Sequence, residues 1–147
     1  MYKNILTAVD GSAHGSAVLD EVTSLAKLTG AAVHVIHIRP SQIIAGGLTG
    51  GTVFTVEEAA EAQQVVDDAL ARLRAAGITA DGEVDEGLKE DLAGILVERA
   101  AALGSDLIAV GPGHYSGIAA LLHTSVSRGV AKAAPVSVLL VRSGATV

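Results

Sequence analysis

Apolar positions along the chain switch between two rhythms, short continuous runs and stripes of helical spacing, and the switches fall at glycine, proline or capping residues. The run from Asn4 to Asp10 (NILTAVD) ends at Asp-Gly and predicts a buried strand stopped by a turn. After Ser12, Val18, Val22, Leu25, Ala26 and Thr29 recur at helical spacing, and Gly30 supplies the stop. Ala32 to Ile38 (AVHVIHI) predicts a second strand, closed by Pro40. From Ser41 to Phe54 neither rhythm holds and Gly46, Gly47, Gly50 and Gly51 intervene, which predicts a loop able to act as a lid. Thr55 and Glu58 have capping-box spacing ahead of a helix with Val66, Ala69, Leu70 and Leu73 on one face, ending near Gly77. Ile78 to Val84 is a more polar strand suited to a sheet edge. Leu92, Ile95, Leu96 and Leu103 mark a third helix terminated by Gly104, and Asp106 to Val110 (DLIAV) is an apolar strand. A last helix from about Ser125 to Ala134 leads through Pro135 into a final strand, Val136 to Val141.

Strict alternation of strands and helices predicts an α/β fold: a doubly wound parallel sheet of five strands with helices on both faces and right-handed crossovers. Residues 1–147 read as a single domain, and 147 residues bury enough surface to fold without staples. Half of the residues are hydrophobic, yet only two tyrosines and one phenylalanine are aromatic, so Val, Leu, Ile and Ala must build the core, as suits parallel strands under Ala-rich helices. Absence of cysteine removes disulfides, thiolate nucleophiles and Cys-ligated metals, and fits a cytoplasmic setting. Met1 to Val9 lacks the pattern of a secretory signal, and no run reaches the length of a membrane span. With a formal net charge of −6 and no Lys/Arg cluster, the electrostatic footprint of a nucleic-acid binder is missing.

In a doubly wound sheet, ligands bind beyond the carboxyl ends of the strands where the strand order reverses, which directs attention to Asp10 and Gly111. Gly111-Pro-Gly113-His114-Tyr-Ser-Gly117 follows a buried strand and precedes a helix whose first residues are expected to be Thr124, Ser125, Val126 and Ser127. Free N–H groups and the positive end of a helix dipole suit phosphate, and glycines let an anion approach the backbone. The spacing GxGxxxG misses the dinucleotide fingerprint, and no GxxxxGK[ST] loop is present. The same run also serves as a plain strand-to-helix turn.

Taken together, NILTAVDGSAHGSAVL at 4–19, the VHVIHI strand, SDLIAVGPGHYSG at 105–117 and TSVSRGVAKAAPVSVLLVR at 124–142 resemble the universal stress protein family, in order and across essentially the whole chain. The resemblance implies strand order 3-2-1-4-5, a cytoplasmic stress-response role, a homodimer formed through the C-terminal strand Val136 to Val141, and an adenine nucleotide such as ATP, with Mg²⁺ only as the nucleotide's companion. The family's nucleotide-binding pattern is G-x2-G-x9-G-[ST]. Gly111 and Ser125 match it, whereas His114 and Thr124 stand where glycines are expected; a Cβ there crowds a phosphate or forbids a positive φ. Gly113 lies one residue earlier, and both His114 and Thr124 carry hydrogen-bond donors. The resemblance also implies that Asp10 borders the pocket with Ala8 and Val9 beside it, and that the backbone of Ile38 meets the adenine. A strand-end aspartate equally serves as a turn former capping the helix after Gly11.

The remaining candidates read as structural. His34 and His37 are three apart in a strand and face opposite ways, so they cannot chelate one ion together. His114 and His123 flank the turn without an acidic partner at ligand spacing, so no metal site is expected. Ser12, Ser16, Ser116 and Ser125 lack a GxSxG elbow. Glu86, Glu90 and Asp91 read as acidic residues at the start of the third helix. Three functions stay open: a nucleotide-binding regulator, a dimeric interaction module that has lost nucleotide binding, and, ranked last for want of an arginine finger or water-positioning carboxylate, an ATP hydrolase.

Overall fold

A computed structural model describes residues 1–45, 51–55, 58–88, 91–111 and 118–142. Ten elements follow one another: β1 (Asn4–Ala8), α1 (Ala13–Thr29), β2 (Ala32–Ala45), β3 (Gly51–Thr55), α2 (Ala59–Ala75), β4 (Ala80–Leu88), α3 (Leu92–Leu103), β5 (Leu107–Val110), α4 (Ile118–Ala133) and β6 (Ser137–Leu140). The five parallel strands lie in the order β4-β2-β1-β5-β6, which is the expected 3-2-1-4-5 arrangement. β4, the polar strand, does lie at the edge.

Each face of the sheet carries its own core. On one, Val18, Val22 and Ala26 of α1 and Val66, Leu70 and Leu73 of α2 pack on Ile5, Val33 and Val35. On the other, Leu96 and Ala100 of α3 and Val130 of α4 pack on Leu6, Ile36 and Ile108. Alternate residues of β1 and β2 thus serve opposite cores, so both strands read as near-continuous apolar runs, as buried parallel strands require. Helix ends follow the expected chemistry where glycine sets them: Gly30 and Gly104 adopt φ of 73° and 65° at the C-caps of α1 and α3, conformations that an L side chain resists.

Four boundaries differ from expectation. The segment expected to be a loop from Ser41 continues β2 to Ala45 and returns as β3, antiparallel, with Ser41 opposite Thr55 and Ala45 opposite Gly51. Thr55 therefore ends a strand instead of opening a capping box, and Glu58 is the N-cap of α2, without a side-chain bond. β4 runs on to Leu88, which places Glu86 in a strand and not at the start of α3; Asp91 is the N-cap there and makes no side-chain cap bond. Finally, α4 begins at Ile118, not near Ser125, so Thr124, Ser125, Val126 and Ser127 lie within the helix and their N–H groups belong to its interior.

The position of β3 shapes the end of β2. Ser41 pairs with Leu88 of β4 and with Thr55 of β3, and a strand has only two edges, so β3 lies on the side of β2 that β1 occupies lower down. The last β2 residue paired with β1 is Ile36. Among the described residues no strand pairs with the β1-side edge of β2 between Ile36 and Ser41, a notch bounded by the end of β1 at one side and by β3 at the other.

Candidate functional site

Strand order reverses between β1 and β5, which sit side by side with Ile5, Leu6 and Thr7 opposite Leu107, Ile108 and Ala109. The Thr7 hydroxyl, fully buried, donates to the Ala109 carbonyl at 3.2 Å and ties the two strands just short of their ends. Asp10 and Gly111 follow at those ends.

Asp10 is held by the turn it begins. Its Oδ1 accepts from the Ser12 N–H at 2.9 Å and from the Ser12 hydroxyl at 2.6 Å, across Gly11 at φ +78°. Ser12 Oγ in turn accepts from the Gly15 N–H at 3.2 Å. The N-cap of α1 is thus Ser12, and Asp10 supports the cap instead of being it. Gly15 is part of the same arrangement, because a Cβ there would lie 2.9 Å from Asp10 Oδ1. Neither Ser12 nor Gly15 stands out in the sequence as a partner of Asp10; the spacing D-G-S-x-x-G is the signal that carries them.

On the neighbouring strand, Ala8 pairs with Ile36, and the Val9 N–H reaches the Ile36 carbonyl at 3.0 Å. Ile38, two residues on, presents its side chain to the α3–α4 core and, by strand alternation, its N–H and C=O to the notch. His34 and His37 do face opposite ways. His34 Nε2 lies 3.4 Å from Glu83, which Arg99 of α3 grips through two contacts of 2.7 Å, while His37 is buried with Nδ1 2.7 Å from the Val9 carbonyl.

At the end of β5, the Ser127 hydroxyl donates to the Gly111 carbonyl at 2.6 Å, joining α4 to the strand end. Gly111 does not have a positive φ. What approaches it is Val18 of α1, whose Cγ2 would stand 3.2 Å from a Cβ, so close packing alone gives glycine a reason to be there. Val126 is half-buried beside the α3–α4 core. Gly113 and His114, like Glu90 and Ser116, lie outside the described residues. Beside the Asp10 turn a cleft of about 480 Å³ opens between α1 and α2, with Val9, Gly11, Ser12, Glu61 and Val65 among its lining residues. Arg72 of α2 bridges to α1 through Ser16 at 2.9 Å and Asp20 at 2.5 Å. Among the described residues no three His, Asp or Glu side chains gather at metal-ligand spacing, and no helix is long and apolar enough to cross a membrane.

The chain is a doubly wound α/β protein with a fixed carboxylate at the strand ends beside its switch point, the place where sheets of this kind bind ligands. The chain belongs to the universal stress protein family, whose model matches residues 1–142. It is similar to a putative universal stress protein of Staphylococcus haemolyticus, 27% identical over 143 residues that cover 97% of this chain and 86% of that one. Among solved structures it is similar to the universal stress protein of Archaeoglobus fulgidus in complex with dAMP, at 26% identity and a TM-score of 0.69, covering 95% of this chain and 98% of the other. A universal stress protein solved with cAMP, 24% identical with a TM-score of 0.67 over 95% and 96% of the two chains, bears on the fold alone.

Proposed function

We propose that this chain is a cytoplasmic stress-response regulator that binds an adenine nucleotide across the ends of β1, β2 and β5. The observation that carries the reading is the placement of a fixed carboxylate, Asp10, at the end of β1 next to a β2 edge that is unpaired at Ile38 among the described residues. An adenine edge offers an acceptor and a donor side by side, and a strand edge offers the complementary donor and acceptor. Asp10 accepts from a ribose hydroxyl or an exocyclic amine. A relative with this fold is known in complex with dAMP, which supports the same ligand class here.

At the phosphate end the proposed contacts are Gly111, Gly113, His114 and the hydroxyls of Thr124 and Ser125, since the N–H groups of Thr124 to Ser127 are used within α4, with Ala8 and Val9 beside Asp10. His114 and Thr124 in place of glycines favour a monophosphate over ATP, because each added Cβ narrows the room for a polyphosphate and its Mg²⁺. The same two residues favour a second reading, a dimeric interaction module without a nucleotide. In either case we propose a homodimer through β6, an edge strand on which Leu140 is 45% exposed.

Titration with AMP, dAMP, cAMP and ATP–Mg²⁺, followed by melting temperature, separates the readings. A ligand of the folded state stabilises it by about 2.7 kcal/mol at 100 times its Kd. The expected result is a rise with AMP and dAMP that exceeds the rise with ATP. No shift at millimolar concentration of any of the four leaves the interaction module as the function. Solution mass measures the dimer separately.

A further inference from the structure

We propose that His37 is a positioning residue: by holding the Val9 carbonyl it ends the β1–β2 ladder one rung early and leaves the Ile38 N–H for the base of the ligand.

The ladder sets the expectation. β1 and β2 exchange bonds between odd residues of the first and even residues of the second, beginning with the Ala32 N–H to the Lys3 carbonyl at 2.9 Å and reaching the Val9 N–H to the Ile36 carbonyl at 3.0 Å. The next rung of a parallel ladder would run from the Ile38 N–H to the Val9 carbonyl. That bond is not among the backbone bonds of the described residues. The Val9 carbonyl lies instead 2.7 Å from His37 Nδ1, and since a carbonyl only accepts, the hydrogen is on Nδ1.

His37 stands on the side of β2 that Val33 and Val35 present to α1 and α2. Its ring therefore draws the Val9 carbonyl towards that face, out of the sheet plane in which the Ile38 N–H lies. Burial of the ring, 5% exposed, keeps water from taking its place. Without His37 the simplest repair is the missing rung, which would occupy the Ile38 donor and extend β1 into the notch. The inference rests on the adenine reading for its ligand, but its central claim concerns the unliganded protein.

Amide hydrogen exchange by NMR tests that claim on the full chain. In the wild type without nucleotide, the Ile38 amide should exchange at least about 10-fold faster than the Ile36 amide, which sits inside the ladder. His37→Leu, of similar bulk and without a donor, should slow Ile38 exchange towards that of Ile36. His37→Asn, whose side-chain N–H₂ sits close to the Nδ1 position, should keep it fast. Nitrogen shifts of the ring should show the proton on Nδ1.

Binding supplies the second arm. AMP should bind the wild type about 10-fold more tightly than 1-deaza-AMP, which has a C–H in place of the N1 acceptor, and His37→Leu should erase that preference while His37→Asn retains it. Slow Ile38 exchange in the wild type, or a ring with Nδ1 unprotonated, overturns the proposal whether or not the variants fold. Fast Ile38 exchange with no binding of AMP sinks the nucleotide reading and leaves the ladder claim standing. Binding of AMP without discrimination against 1-deaza-AMP refutes the role assigned to the freed amide.

Discussion

The hydroxyl of Ser127 donates to the carbonyl of Gly111 at 2.6 Å, so a side chain of α4 holds the end of β5 at the switch point of the sheet. Ser127→Ala removes that bond at a part-buried site. The loss is about 1 kcal/mol, offset in part by alanine's helix preference of at most about 0.7 kcal/mol. A fall of several tenths of a kcal/mol in urea-unfolding stability is expected, together with weaker AMP binding. Unchanged affinity would separate this bond from the site.

Two glycines should respond to the same substitution with opposite signs. A Cβ on Gly82 of β4 would meet Val66 Cγ1 at 2.7 Å and the Val35 carbonyl at 3.0 Å, and the backbone of β2, a central strand, cannot retreat. Overpacking of this kind costs about 1–3 kcal/mol. Gly94, exposed in the first turn of α3, has nothing within 4 Å of its missing Cβ, so Gly94→Ala should stabilise by about 0.5–1 kcal/mol. Urea midpoints of the two variants, measured side by side, check both signs.

Arg99 and Glu83 join α3 to the edge strand through a fork in which Nε and Nη2 each lie 2.7 Å from a carboxylate oxygen, with the side chains 35% and 29% exposed. Arg99→Lys keeps the charge and loses the fork. Partial exposure limits the expected cost to about 1 kcal/mol, and the difference from wild type should shrink between about 0.1 and 1 M NaCl, as chemical denaturation at the two salt concentrations can measure.

The parallel sheet was legible because most of its strands are runs of Val, Ile, Leu and Ala bounded by glycine or proline, and because helix stops at Gly30 and Gly104 are local in origin. The β2–β3 arm was hidden by Gly46 to Gly51, which drew attention from the β-branched residues Ile43, Ile44, Thr52 and Val53 on either side. The start of α4 was missed because its first residues, Ile118 to Leu122, are apolar without a polar interval and carry no helical stripe. At the site, Asp10 was legible from its place at a strand end and Ile38 only through the family resemblance, but the partners that orient them were not. Ser12, Gly15 and His37 act through contacts that arise only when α1 turns back over β1 and when β1 stops short of β2.

Gly15 gives the sharpest test of the carboxylate. Alanine is favoured over glycine inside a helix by about 0.8–1.0 kcal/mol, so Gly15→Ala should strengthen α1 if nothing stands in the way. Asp10 Oδ1 does stand in the way, 2.9 Å from the new Cβ, and as the end of a side chain it can swing aside more cheaply than backbone. Moving it breaks the 2.6 Å bond to the Ser12 hydroxyl, and the two effects nearly cancel in stability. Affinity does not share that cancellation, since a carboxylate that has turned away no longer faces the ligand. Gly15→Ala is therefore expected to melt within a few degrees of the wild type yet bind dAMP about 10-fold more weakly, the loss of one oriented hydrogen bond. Asp10→Asn should show a comparable loss in calorimetric titration. Wild-type affinity in Gly15→Ala beside a weakened Asp10→Asn would mean that the carboxylate matters but its fixed orientation does not.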